Sequence, residues 1–253
     1  MEKILITKRG NIMSGPSIYI YIIFFVLLFY LIKEGYWKNI FKLIIKYFCQ
    51  NRGKVFIAII AITVTVILID LPVNRFFADY KNPFLEPIVK FGNRFGKGEI
   101  HFSFLLVLII IFMIFKNDRL KNIFSISLMS SIFSGITVDI LQAVFTRARP
   151  VITASPYKFF IFIEAYKKGK LFQYEYLSMP SGHTITVIAA VVPLYLYFKN
   201  KYIRIGLVIL AMITAFSRLY VSVHWASDVL TGFLLGSFLA KVIYDTNKKR
   251  LQD

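Results

Sequence analysis

The chain has 253 residues, of which 57% are hydrophobic and 17% aromatic, with 31 Lys and Arg against 13 Asp and Glu. That leaves too little polar residue to coat a soluble globule, so a polytopic membrane protein is expected in place of one or two soluble domains. The net charge of +18 is scattered through short segments between apolar runs, which suits anchoring at a membrane and argues against a nucleic-acid partner.

Seven apolar runs follow one another: Ile18–Ile32, Val55–Leu71, Ile100–Phe115, Ile123–Phe145, Ile185–Phe198, Tyr202–Tyr220 and Val229–Tyr244. A crossing takes roughly 20 mostly apolar residues, which several runs reach by borrowing flanking Ser, Thr, Tyr or Gly. The pattern predicts an all-α membrane bundle, a six-helix core plus one N-terminal helix. Ile18–Ile32 follows a basic segment, but no small-residue cleavage site comes after it, so it is read as a retained helix. Residues 1–54 form the N-terminal helix and a basic connection, and residues 55–253 the main domain. Within the connection, Lys38–Tyr47 alternates apolar residues with Lys42 and Lys46 and is expected to lie on the membrane surface. The lone Cys49 cannot form an internal disulfide.

Pro72–Glu99 and Thr146–Ser181 read as long loops, with Phe159–Ile163 too short to span and dipping into the interface. Small residues recur four apart at Ser127, Ser131 and Gly135, and again at Gly232, Gly236 and Ala240, so both helices are expected to face the bundle interior. Lys33–Lys54 holds six Lys and Arg, the turns Lys116–Lys121 and Lys199–Arg204 hold three each, and Lys248, Lys249 and Arg250 follow the last run. With seven crossings these segments share one side, the cytoplasmic one by the positive-inside effect. The opposite, outer side then receives the N-terminus, Pro72–Glu99, Thr146–Ser181 and the turn Ser222–Trp225.

Three segments at that outer side carry chemistry: Arg147-Ala148-Arg149-Pro150, Pro180-Ser181-Gly182-His183, and Ser217-Arg218 with His224 and Asp228. His224 and Asp228, four apart on a helix, let the carboxylate hold one ring nitrogen and leave the other as a nucleophile. The same pair also reads as a helix start with a capping carboxylate. Ser181 and Gly182 open a helix whose first N–H groups can bind an anion, beside which His183 could protonate a leaving oxygen. Arg149 and Arg218 suit bidentate phosphate binding, or could merely snorkel to an interface. Asp139, a carboxylate within a run, is read as a partner behind the site or a helix–helix hydrogen bond. His101 is expected at the interface.

Pro180-Ser181-Gly182-His183 and Ser217-Arg218-x5-His224-x3-Asp228 resemble the second and third signatures of the type 2 phosphatidic acid phosphatase superfamily. The first signature, Lys-x6-Arg-Pro, is met at Arg149-Pro150 but has Gln142 at the lysine position. The resemblance implies an integral-membrane lipid phosphatase acting through a phosphohistidine. Its catalytic set would be His224 as nucleophile, Asp228 orienting it, and His183 as the acid and then base. Arg149, Arg218, Ser181 and Gly182 would bind the phosphate. Gln142 would stand at the same site, with Arg147, or less directly Lys97, making good the missing charge. The resemblance implies neither metal nor cofactor. It leaves open undecaprenyl diphosphate, phosphatidylglycerophosphate or phosphatidate, and lipid A as the lipid phosphate, and says nothing of oligomeric state. A phosphotransferase using the same intermediate, or a non-catalytic lipid-phosphate binder, are the alternatives. The expected location is the cytoplasmic (inner) membrane with the site facing the periplasm.

Overall fold

The structure, a computed structural model, describes residues 40–170 and 173–252 together with Phe29, Ile32, Lys33, Gly35 and Tyr36. The expected helix at Ile18–Ile32 therefore lies outside the described residues, but for Phe29 and Ile32. Two units divide the chain, Met1–Lys38 and Asn39–Asp253, and every helix and site residue discussed below belongs to the second. The basic amphipathic stretch forms α1 (Ile40–Gln50), which thus groups with the main body.

Helix α2 (Arg52–Val64) runs through a five-residue π-helical turn, Thr65–Ile69, into α3 (Asp70–Asp79), giving one 28-residue apolar span. A π turn adds a residue to the helical circuit and rotates the face that follows. Here it carries the chain from exposed Leu68 and Ile69 to Asp70, which is wholly buried. Pro72 is tolerated directly afterwards because the wider turn has already interrupted the regular hydrogen-bond ladder.

The expected loop Pro72–Glu99 is instead largely helical. After α3, Asn82 caps a 3-10 turn (Pro83–Leu85) that leads into α4 (Glu86–Phe95). Proline at the start, Glu86 in the first turn and Arg94 in the last all suit a helix. The pair formed by residues 83–95 and α5 (Gly98–Ile114) bends by 70°. Of its five lysines and arginines, Lys90 and Arg94 ride on the exposed face of α4, whose Val89 and Gly92 are buried.

The centre of the body is α6 (Asp118–Phe145), buried on every side from Ile123 to Ser134, and the segment after it holds the short helix α7 (Phe162–Lys167). Ser127 and Ser131 donate across to the backbone oxygens of Ala190 and Thr186 on α8 (Gly182–Tyr197), at 2.6 and 2.7 Å. From the other side α8 is gripped by α10 (Ala226–Asn247). A Cβ at Gly236 would stand 2.7 Å from the Ile185 oxygen, so only glycine permits that approach. Helix α9 (Lys201–Tyr220) packs on α4, and its outward face exposes Ile205, Ile209 and Met212, as α2 exposes Phe56, Ile57 and Ile60. Such apolar outer faces suit lipid.

Among the described residues four helices are long and apolar enough to cross a membrane, five if the bent pair counts as one crossing, and α8 is a shorter apolar helix. A six-helix core therefore requires both the bent pair and α8 to cross.

Candidate active site

All three signature segments meet at one end of the bundle. Helix α6 stops at Thr146, whose left-handed backbone (φ 35°) turns the chain so that Arg147 and Arg149 both point inward. Asp228 caps the start of α10, its Oδ2 accepting the Trp225 backbone N–H at 2.9 Å, while the Asp228 N–H donates to the Trp225 backbone oxygen at 3.1 Å. The Ser181 N–H donates to the Asp228 backbone oxygen at 3.0 Å, locking the start of α8 to the start of α10.

His224 is 3% exposed. Its Nε2 lies 2.9 Å from Arg149 Nη1 and its Nδ1 3.4 Å from Asp228 Oδ2, a long contact that leaves Nδ1 without a full hydrogen bond. A guanidinium can only donate, so Nε2 carries a lone pair and the ring proton sits on Nδ1, towards the carboxylate. Burial, with the Arg149 charge adding to it and Asp228 opposing, pushes the imidazole down to about 3, so it is neutral at ordinary pH. The site therefore holds an uncharged imidazole whose Nε2 lone pair accepts from a guanidinium.

Arg149 is anchored by the backbone oxygens of Tyr174, Val223 and Leu177 at 2.6–2.9 Å, and its plane stacks 3.6 Å from the Tyr174 ring centre. Burial lowers it to about 10, which still leaves it charged. Arg218 reaches Asn93 through Nη1 and the Tyr174 hydroxyl through Nη2 at 3.4 Å, while its buried Nε–H has no partner among the described residues. A buried, unpartnered guanidinium N–H at such a place suits an anionic ligand. His183 stands within electrostatic reach of His224, Arg149 and Arg218. Its ring is pressed against Gly96, where any Cβ would come within 2.5 Å of it. Ser181 is fully buried and its hydroxyl accepts from Thr184 Oγ1 at 3.0 Å.

Arg147 does not serve this space, and Gln142 is tied to the turn beside it. Gln142 Nε2 donates to the Pro180 oxygen at 2.7 Å and so braces the turn ahead of Ser181. Arg147 is 0% exposed, and its five N–H groups are all engaged: Nε with Pro156 O, Nη1 with Ser227 Oγ and Asp228 Oδ1, Nη2 with Asp70 Oδ2 and Pro156 O. The expectation that Arg147 supplies charge to a phosphate meets a guanidinium with nothing left to give. Both arginines point inward past Thr146, but Arg147 meets Asp70 and Asp228 while Arg149 meets His224. Asp139 lies exposed on α6 rather than behind the site, and Lys97 is an exposed N-cap of α5. His101, expected at the interface, is buried; its Nδ1 lies 3.1 Å from the Phe95 and Lys97 oxygens and its Nε2 3.0 Å from Ser131 Oγ, pinning the α4–α5 bend to α6.

Four residues came to the site unannounced: Asp70, Asn93, Tyr174 and Ser178, the last donating to Asp228 Oδ2 at 2.5 Å. Only Asp70 left a signal, being a carboxylate within an apolar run. Among the described residues no group of three or more His, Cys, Asp or Glu is placed to hold a metal ion.

Residues 123–252, just over half of the chain, match the PAP2 superfamily. The chain belongs to that superfamily. All three signature segments fall within the matched residues. An undecaprenyl-diphosphatase of Sulfolobus acidocaldarius is 43% identical over 63 residues, which span 25% of this chain and 30% of that relative's length. The fold is similar to the crystal structure of Aquifex aeolicus LpxE (TM-score 0.53, 22% identity, covering 70% of this chain and 94% of that one). It is also similar to a transmembrane PAP2-type phosphatidylglycerolphosphate phosphatase from Bacillus subtilis (TM-score 0.51, 20% identity, covering 76% and 94%). This PAP2 member is thus a multi-pass membrane protein whose bundle follows the fold of solved PAP2 structures.

Proposed function

We propose that this PAP2 protein is a lipid phosphatase that works through a phosphohistidine on His224. The observation that carries the reading is the lone pair of His224 Nε2 held 2.9 Å from the Arg149 guanidinium, with Arg218 nearby keeping an N–H that has no partner among the described residues. In the first step Nε2 attacks phosphorus and the bond to the leaving oxygen breaks, with His183 giving that oxygen its proton. The imidazole becomes cationic, with Nδ1–H facing Asp228. In the second step His183 takes a proton from water, whose oxygen attacks phosphorus, and the P–N bond breaks to free inorganic phosphate. Arg149 and Arg218 bind the phosphoryl oxygens, joined by the backbone N–H groups that open α8.

The substrate is a phosphate monoester or diphosphate on a membrane lipid, its chains in the bilayer and its headgroup at the outer, periplasmic face of the cytoplasmic membrane. Among undecaprenyl diphosphate, phosphatidylglycerophosphate or phosphatidate, and lipid A, the local identity to an undecaprenyl-diphosphatase favours the polyprenyl diphosphate. Purified protein assayed for phosphate release from these lipids, without an added acceptor, tests the reading. Release abolished by His224→Ala, with the protein still folded, is the expected result. Turnover by that variant would overturn the covalent route, and activity only with an acceptor would make the protein a transferase.

A further inference from the structure

Asp70 lies on α3, outside the residues matched to the superfamily and in none of the three signature segments. It is nevertheless bound to the centre of the site. Oδ1 accepts the Ser227 N–H at 2.7 Å; Oδ2 accepts the Ser227 hydroxyl and Arg147 Nη2, both at 2.6 Å. It accepts three hydrogen bonds and gives none, the pattern of an ionised carboxylate. Arg147 joins Asp70 to Asp228, all three at 0% exposure, and Asp228 faces the His224 Nδ1.

The charges decide what this does. Arg147 and Asp228 alone would sum to zero and offer nothing to an imidazole that becomes cationic. With Asp70 the buried trio carries one net negative charge, which matches the positive charge the ring gains when Nε2 bonds to phosphorus. Arg149 and Arg218 also approach the ring, but they face the phosphoryl side and are matched by the phosphate's own charge. We propose that Asp70 is a positioning residue for the transfer step: it neutralises Arg147 and so frees the charge of Asp228 for His224. The proposal rests on the phosphohistidine reading and adds a residue that acts without touching substrate.

A probe that needs no hydrolysis separates the two. Orthovanadate bonds to a nucleophile in the geometry of the transferring phosphoryl group and draws the same charge onto the ring, whereas inorganic phosphate only occupies the anion pocket. Loss of one preorganised charge from such a site costs on the order of 10²–10³ in rate. For Asp70→Asn in detergent-purified full-length protein, orthovanadate binding is expected to weaken by about 10², with phosphate binding within about threefold and kcat falling without KM. Asp70→Glu should recover part of the loss. The double variant Asp70→Asn with Arg147→Gln, which restores the net charge, should bind orthovanadate more tightly than Asp70→Asn alone. Equal weakening towards both anions, additive losses in the double variant, unchanged kcat, or recovery of Asp70→Asn only as unfolded protein would each make Asp70 a structural residue and overturn the proposal. Wild-type protein that binds orthovanadate yet frees no phosphate from any lipid would count against the hydrolase reading alone.

Discussion

Arg147 and Arg218 are both buried arginines at the same end of the bundle, yet the partners of their N–H groups set them apart. Arg147 meets two carboxylates and the Pro156 oxygen, and its guanidinium carbon lies 4.3 Å from the Phe159 ring centre and 5.5 Å from that of Trp225. Removing one partner of a buried ion pair strands the other charges, typically at a cost of 3–5 kcal/mol. Arg147→Ala is therefore expected to lower the melting temperature in detergent sharply, whereas Arg218→Ala, which gives up the unpartnered Nε–H and a contact with Asn93, should stay folded and lose catalysis. Equal melting temperatures for the two would refute the distinction. The neutral state of His224 adds a pH signature. Its folded value of about 3 lies below the ordinary histidine value of about 6.5, so between these the unfolded chain binds a proton that the folded one refuses. The stability contributed by a neutral His224 is thus whole above about pH 6.5 and drains away as the pH falls towards 3. His224→Asn should flatten the fall in melting temperature below about pH 6.5; an unchanged slope would show that other groups govern it. The histidines, Asp228, Arg149 and Arg218 were legible because the signatures keep them at fixed spacing. Arg147 was misjudged because spacing does not say which way a side chain turns after a helix ends in a left-handed residue, whereas Gln142, still within α6, spends one amide N–H on the Pro180 oxygen. Asn93 and Tyr174 reach the site through tertiary folding alone.

The helices were most legible where apolar runs were long, and least where a helix is amphipathic or changes pitch. Helix α4 hid behind its charges, and the π turn at Thr65–Ile69 has no mark in sequence, though it is what turns Asp70 inward. The small-residue spacing, by contrast, translated directly into contact, since α8 is held between the serines of α6 and the glycines of α10. That contact makes a comparison possible. Gly236→Ala would press a methyl to 2.7 Å from the Ile185 oxygen, and neither backbone can yield cheaply. Overpacking of this kind costs about 1–3 kcal/mol, and because α8 carries His183 at its start the shift should lower activity as well as stability. Gly206→Ala on α9 meets nothing within 4 Å, so it should be neutral or stabilise by up to about 1 kcal/mol. Thermal melting and phosphate release on both variants check this, and a Gly236→Ala protein indistinguishable from Gly206→Ala would show that the bundle can relax apart.

Charge divides the body along its axis. At the end away from the site, Tyr47 of α1 bonds Asp245 of α10, Asn122 of α6 donates to the Arg250 oxygen at 2.7 Å, and Arg119 approaches the Gln252 oxygen at 3.4 Å. The basic turn at Lys116–Lys121, the basic tail and α1 therefore gather at one end, as a shared cytoplasmic side requires. At the other end the long segment between α6 and α8 surrounds the site, with Phe160, Phe162, Ile163 and Tyr166 exposed beside Lys167 and Lys168, a composition suited to an interface. Short basic turns resist translocation while long segments tolerate charge, so the site end is expected outside the cytoplasm. Single cysteines at Lys167 and Lys199 read this directly. Both positions are exposed, and Lys199 gives only one 3.3 Å bond to the Leu196 oxygen, whereas the neighbouring Asn200 accepts from the Tyr202 and Ile203 N–H groups that open α9. Cys49 is itself exposed and must first be changed to serine. An impermeant thiol reagent added to intact cells should then label Lys167→Cys and spare Lys199→Cys, with both reacting once the membrane is opened. The opposite pattern would turn the protein over, placing His224 and its phosphate pocket on the cytoplasmic face and requiring a substrate presented from that leaflet.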